Sequence, residues 1–86
     1  GSVAATCHAL LQRAGLRVGL YTSPHLVDFR ERIRVDDRSI DANDVVTWAE
    51  RLRPWAEELT FFELTTVMAF AYFAAAAVDV AVIEVG

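Results

Sequence analysis

The stretch VDVAVIEVG, Val78–Gly86, admits two readings, and the choice between them decides the fold. It closes an apolar run that starts at Val67 and approaches the length of a membrane span. Asp79 and Glu84 interrupt that run, and its character changes part-way. The first half has the make-up of a buried helix. From Val78 to Val85 the run is rich in β-branched residues, the pattern of a strand covered on both faces of a parallel sheet. The run is therefore expected to be buried core of a soluble protein, with no membrane partner.

A second strand-like segment, Arg17–Thr22, is stopped by Pro24, which lacks an N–H and biases Ser23 away from helix. Before it, Ser2–Ala14 has helical spacing, with Val3, Cys7, Leu10, Leu11 and Ala14 on one stripe and Gly15 at the αL cap position. Residues 26–30 read as a loop. Glu31–Val35 alternates as a half-exposed strand, Asp36-Asp37 suits a turn, and Ser39 and Ile40 return. Asp41 is placed to cap a helix carrying Val45, Trp48, Ala49, Leu52 and Trp55 on one side, with Pro54 at its end. Thr60–Phe62 reads as a connector to a helix over Glu63–Ala77, whose face is Leu64, Val67, Met68, Ala71, Tyr72 and Ala75. Phe70 and Phe73 widen that face. Two apolar strands joined by helices imply an α/β fold with a parallel sheet.

Composition narrows the functional classes. At 86 residues the chain is one small domain at most, and 55% hydrophobic content is high for that size, as for part of a larger core. A formal charge of −4 gives no electrostatic footprint for nucleic acid, and all eight basic residues are arginine. The single cysteine, Cys7, allows no internal disulfide and fits a reducing, cytoplasmic setting; on its apolar helix face it reads as a small buried residue. No targeting signal is visible.

Ligands of open parallel sheets bind beyond the carboxyl ends of the strands. Ser23 ends the first strand, Glu84 ends the last, and Ser2 opens the first helix. A carboxylate there holds a divalent cation in many phosphoryl-transfer sites; equally, it can cap a helix or pair with an arginine. Gly1-Ser2 fits the tail of a phosphate loop, and fits an expression scar as well.

Taken together these residues resemble the folylpolyglutamate synthase and dihydrofolate synthase family, within the Mur ligase-like ATP-dependent amide ligases. The resemblance rests on TSPHL (Thr22–Leu26) with FRERI (Phe29–Ile33), on FFE (Phe61–Glu63), on IEVG (Ile83–Gly86) and on GSV (Gly1–Val3). It covers the whole chain. Mureine-precursor ligases share the phosphate loop but not TSPHL with FRERI, so the folate branch is favoured over a UDP-MurNAc-peptide amino-acid ligase.

The resemblance implies a P-loop-type nucleotide-binding domain, incomplete here: residues 1–86 would be a segment of the central ATPase domain, without the C-terminal glutamate-binding domain. It implies ATP and Mg²⁺, with Gly1 and Ser2 at phosphate and Ser23 and Glu84 at the metal. Thr60 and Phe62 would line the pterin pocket and His25 would belong to the loop flanking the folate cleft; no residue here is implied as an acid–base catalyst. For Phe62, the residues alone favour ordinary core packing. The implied reaction adds L-glutamate to dihydropteroate or to reduced folate polyglutamates through an acyl phosphate, in a monomeric enzyme. The lysine-bearing part of the phosphate loop and the G-G-R-x-D-A-T-N continuation after Gly86 are absent from the 86 residues, so the segment alone is expected to be inactive. An inactive structural fragment is the other reading.

Overall fold

In a computed structural model, which describes residues 2–22 and 29–84, the first helix, α1, spans Val3–Arg13. Ser2 caps it, its Oγ accepting from the Ala5 N–H at 3.0 Å. Gly15, at φ +88°, closes it: the Gly15 N–H reaches the Gln12 carbonyl at 2.9 Å and the Leu16 N–H that of Leu11 at 3.2 Å. Only glycine adopts that φ without cost, so the expected cap stands.

A short connection leads into β1 (Val18–Thr22), and a 3₁₀ turn over Phe29–Arg32 precedes a hairpin of β2 (Ile33–Val35) and β3 (Arg38–Ser39). Asp36 takes the left-handed conformation in the hairpin turn, at φ 54°. Then come α2 (Ala42–Leu52), a 3₁₀ segment over Arg53–Glu58 with Pro54 in its first turn, α3 (Phe61–Ala75) and β4 (Val80–Glu84). The four strands form one sheet in the order β3-β2-β1-β4. β1 and β4 are parallel, as expected, and the hairpin joins antiparallel, which makes the sheet mixed.

Register fixes which side chain faces which layer. In β1, Gly19 and Tyr21 face α3. A Cβ on Gly19 would lie 2.8 Å from the Phe73 ring, and the Tyr21 hydroxyl meets Thr66 Oγ1 at 3.2 Å. Tyr21, Ile33, Val35, Ile40, Met68, Ala69 and Phe73 make the core on that side, with Val45, Trp48 and Leu52 of α2 packed against it. Val18 and Leu20, also buried, face the other way, where α1 lies on β1 and β4.

Four expectations are corrected. The face of α1 on the sheet carries Ala4 and His8, whereas Val3 is 81% exposed, Leu10 61% exposed, and Cys7 exposed rather than buried. Both stripes have helical spacing, so spacing alone does not choose between them. α3 buries Thr65, Met68, Ala69 and Phe73, while Val67 and Phe70 are exposed. That helix is apolar all round, so periodicity cannot choose its face. The Thr60–Phe62 connector is the start of α3 instead: Thr60 is its N-cap, and the helix ends at Ala75, two residues short of the expected end. β4, expected to be covered on both faces, is an edge strand among the described residues, with Ile83 41% exposed. Among those residues no helix is long and apolar enough to cross a membrane.

Because the Phe73 ring is itself buried and lies over Gly19, Gly19→Ala must displace that ring or the helix that carries it. We expect a loss of about 1–3 kcal/mol in urea unfolding. An unchanged midpoint would show that this contact is not tight.

Candidate functional site

Helix direction carries the candidate residues to one end of the sheet. α1 runs into β1 through a short turn and lies against it, so its N-terminus, with Ser2, points toward the carboxyl ends of the strands. α3 runs into β4 in the same way on the opposite face, so Thr60–Phe62 also point toward that end. At the end itself the parallel register pairs Thr22 with Glu84. These two close adjacent strands, whose axes lie about 4.8 Å apart. Glu84 shares its side of β4 with Val80 and Val82, which pair with Val18 and Leu20, so it faces the α1 layer and Ser2. Glu84 is exposed.

Ser23 follows Thr22 directly, but Ser23, His25 and Gly1 lie outside the described residues. Among the described residues no group of three His, Cys, Asp or Glu side chains converges. A carboxylate supplemented by hydroxyl and phosphate oxygens is nonetheless a suitable donor set for Mg²⁺. That ion keeps several waters and binds one or two carboxylates beside substrate phosphates.

The Ser2 hydroxyl spends one lone pair on the Ala5 N–H and keeps its proton to donate outward. The Val3 and Ala4 N–H groups precede the first intrahelical bonds and have no acceptor within the helix. Both features suit an anion.

At α3 a reciprocal pair holds the first turn. The Glu63 N–H donates to Thr60 Oγ1 at 3.1 Å, and the Thr60 N–H donates to Glu63 Oε1 at 2.8 Å. Threonines behind it bond back to the same turn, Thr65 Oγ1 to the Phe61 carbonyl and Thr66 Oγ1 to the Phe62 carbonyl, each at 2.8 Å. Phe61 and Phe62 are left 66% and 48% exposed, and Phe61 meets Phe29 with ring centroids 6.0 Å apart. Phe62 is thus half exposed, and the described residues do not bury it as core. An apolar groove of about 420 Å³ beside the turn is lined by Phe29, Phe61, Leu64 and Met68 among others.

A second, polar cleft of about 590 Å³ lies along β3 and the start of α2, between Arg38, Asp41, Asp44 and Tyr72. Burial first, and then the Asp44 carboxylate, push the Tyr72 phenol above its ordinary range, so it stays protonated at neutral pH. Arg30 and Glu31 of the FRERI segment line this cleft too, but Ser2, Thr60, Phe62 and Glu84 do not. Its mixed charges suit a sheet edge kept from pairing.

Comparisons with known proteins bear on the sequence and the fold. A probable bifunctional folylpolyglutamate synthase/dihydropteroate synthase of Haloferax volcanii is 46% identical over 93 residues, which take in all of this chain and 11% of that protein. A crystal structure of folylpolyglutamate synthase from Thermotoga maritima superposes with a TM-score of 0.89 at 46% identity, over 98% of this chain and 22% of that one. The chain is similar in sequence and in fold to a segment of folylpolyglutamate and dihydrofolate synthases. A bifunctional folylpolyglutamate synthase/dihydrofolate synthase solved with Mn, AMPPNP and L-glutamate matches at 36% identity and a TM-score of 0.85, over 94% of this chain and 20% of that one. No family model matches. The chain thus spans between about a tenth and a quarter of the proteins it matches.

Sequence reasoning missed the Thr60–Glu63 pair, although the spacing of a hydroxyl and a glutamate three residues apart is a known helix-start signal. It also missed the Tyr21–Thr66 contact, for which 45 residues of separation leave no local signal. Thr60→Ala should cost about 1 kcal/mol in urea unfolding through loss of the cap, and Thr60→Ser should restore most of it. Equal losses for both would contradict the capping role.

Proposed function

We propose that the protein containing this segment is an ATP-dependent ligase that adds L-glutamate to dihydropteroate or to reduced folate polyglutamates. The observation that carries the reading is the pairing of Thr22 with Glu84 at the strand end that α1 also faces. The family evidence supports it. Solved relatives hold an ATP analogue with Mn and L-glutamate, or AMPPCP with folate, so nucleotide and divalent metal are used in the family. The relatives named here are folate-type, which favours that branch over a mureine-precursor ligase.

In this reading the γ-phosphoryl group of ATP passes to the terminal carboxylate of the pteroate or folate, and ADP leaves. The glutamate amine then attacks the acyl phosphate, phosphate departs, and an amide remains. The bound cation, taken to be Mg²⁺, supplies charge neutralisation at the transferring phosphoryl group. Ser2 and the first N–H groups of α1 hold a phosphate oxygen. Glu84, with Ser23 beside Thr22, holds the cation and moves no proton, so catalysis is positioning and electrostatics. On the other face Phe62 stacks on the flat pterin and the Thr60 hydroxyl, whose lone pair is engaged by Glu63, donates its proton to the heterocycle's edge. His25 belongs to the loop flanking the folate cleft. Residues 1–86 are assigned to the central ATPase domain, and the enzyme to a monomer in the cytoplasm.

In the full-length protein Glu84→Gln should lower kcat by at least about a hundredfold, scaled to the loss of one charge-stabilising group, with partial rescue by excess Mg²⁺. A near-normal rate would remove Glu84 from the cation. Phe62→Ala should raise KM for the pterin substrate and leave KM for ATP little changed. An effect confined to thermal stability would return Phe62 to a packing role.

A further inference from the structure

Tyr21 is 1% exposed in the middle of the core, one residue before the strand end, yet it carries a hydroxyl that phenylalanine would omit at nearly the same volume. A buried phenol needs a partner, and here it is Thr66 Oγ1 at 3.2 Å. The direction of that bond can be worked out. Thr66 has one hydroxyl proton and gives it to the Phe62 carbonyl at 2.8 Å, so Tyr21 must be the donor. The result is a relay in one sense, from the Tyr21 hydroxyl to the Thr66 hydroxyl to the Phe62 backbone.

Helix geometry does not require this relay. The Phe62 carbonyl faces the α3 ladder like any other, and threonine bonding back four residues bends a helix slightly rather than strengthening it. The relay instead joins the two halves of the candidate site. Tyr21 precedes Thr22, the register partner of Glu84, and Phe62 is the residue read above as the stacking platform. We infer that Tyr21 and Thr66 are positioning residues. They fix the Phe62 backbone, and with it the flat ring of the substrate, relative to the strand end that carries Glu84. The inference rests on the proposed role of Phe62 and adds what sets its position.

The test uses full-length protein in steady-state glutamate ligation, with dihydropteroate and tetrahydrofolate each as acceptor. Tyr21→Phe and Thr66→Val keep the volume and remove one hydroxyl each. Each should raise KM for the pterin substrate roughly threefold to tenfold, the range set by one neutral hydrogen bond, with kcat and KM for ATP unchanged. Because both act through one chain, the double variant should be no worse than either single. The inference is overturned if Phe62→Ala raises that KM but the two hydroxyl variants do not, or if their effects multiply. A fall in melting temperature with all kinetic constants unchanged overturns it too, by leaving the relay a purely structural role. If Phe62→Ala itself leaves KM unchanged, the pocket reading beneath the inference has failed instead.

Discussion

The parallel pairing of β1 with β4 is the constraint on which the rest depends. Parallel strands are not joined by a tight turn, and 57 residues lie between the end of β1 and the start of β4. Their alignment must therefore be fixed by contacts at the strands themselves. At the amino ends Arg17 supplies them. Its N–H donates to Asp79 Oδ2 and its carbonyl accepts from the Asp79 N–H, both at 2.8 Å, while its Nε reaches the Ala76 carbonyl at 2.7 Å. Asp36 ties in the hairpin: Oδ1 accepts from the Val18 N–H at 3.1 Å and Oδ2 lies 3.6 Å from Arg17 Nη1. The ion pair is half exposed and adds little by itself, so the backbone bonds do most of the aligning. Set at this end, the register carries through five pairs to Thr22 and Glu84 at the other.

A one-residue slip would turn Glu84 from the α1 layer to the α3 layer. Correct register leaves Glu84 on the side of the α1 N-terminus, with the aromatic first turn of α3 on the other side. In the proposed function each layer contributes a different recognition chemistry to the same edge. The Tyr21–Thr66 relay couples the second layer to the strand that the Arg17 contacts align.

Much of this was legible in the sequence, for identifiable reasons. Pro24 and Gly15 punctuate strictly, so the limits of β1 and α1 were readable, and the Ile33/Val35 alternation marked β2. Glu84 stood out because an acid closing an apolar strand needs an explanation. The faces of α1 and α3 were not legible. Ala4 and His8 make a less hydrophobic stripe than Val3, Cys7 and Leu10, and α3 has apolar residues all round, so only tertiary packing selects the buried side. The exposure of β4 was hidden for a related reason: its residues are those of a strand enclosed on both faces, while the described residues pair it on one edge with β1 and set α1 against it. Ser23 and His25 rest on the motif alone.

The most direct test of the central claim is a crystal structure of the full-length protein with Mn²⁺ and a non-hydrolysable ATP analogue, read by the anomalous signal of the metal. The account predicts one peak with a Glu84 carboxylate oxygen and the Ser23 hydroxyl both at coordination distance, about 2.1 Å for a Mg²⁺-type site. A metal peak out of reach of Glu84, with that carboxylate turned to an arginine, would contradict it.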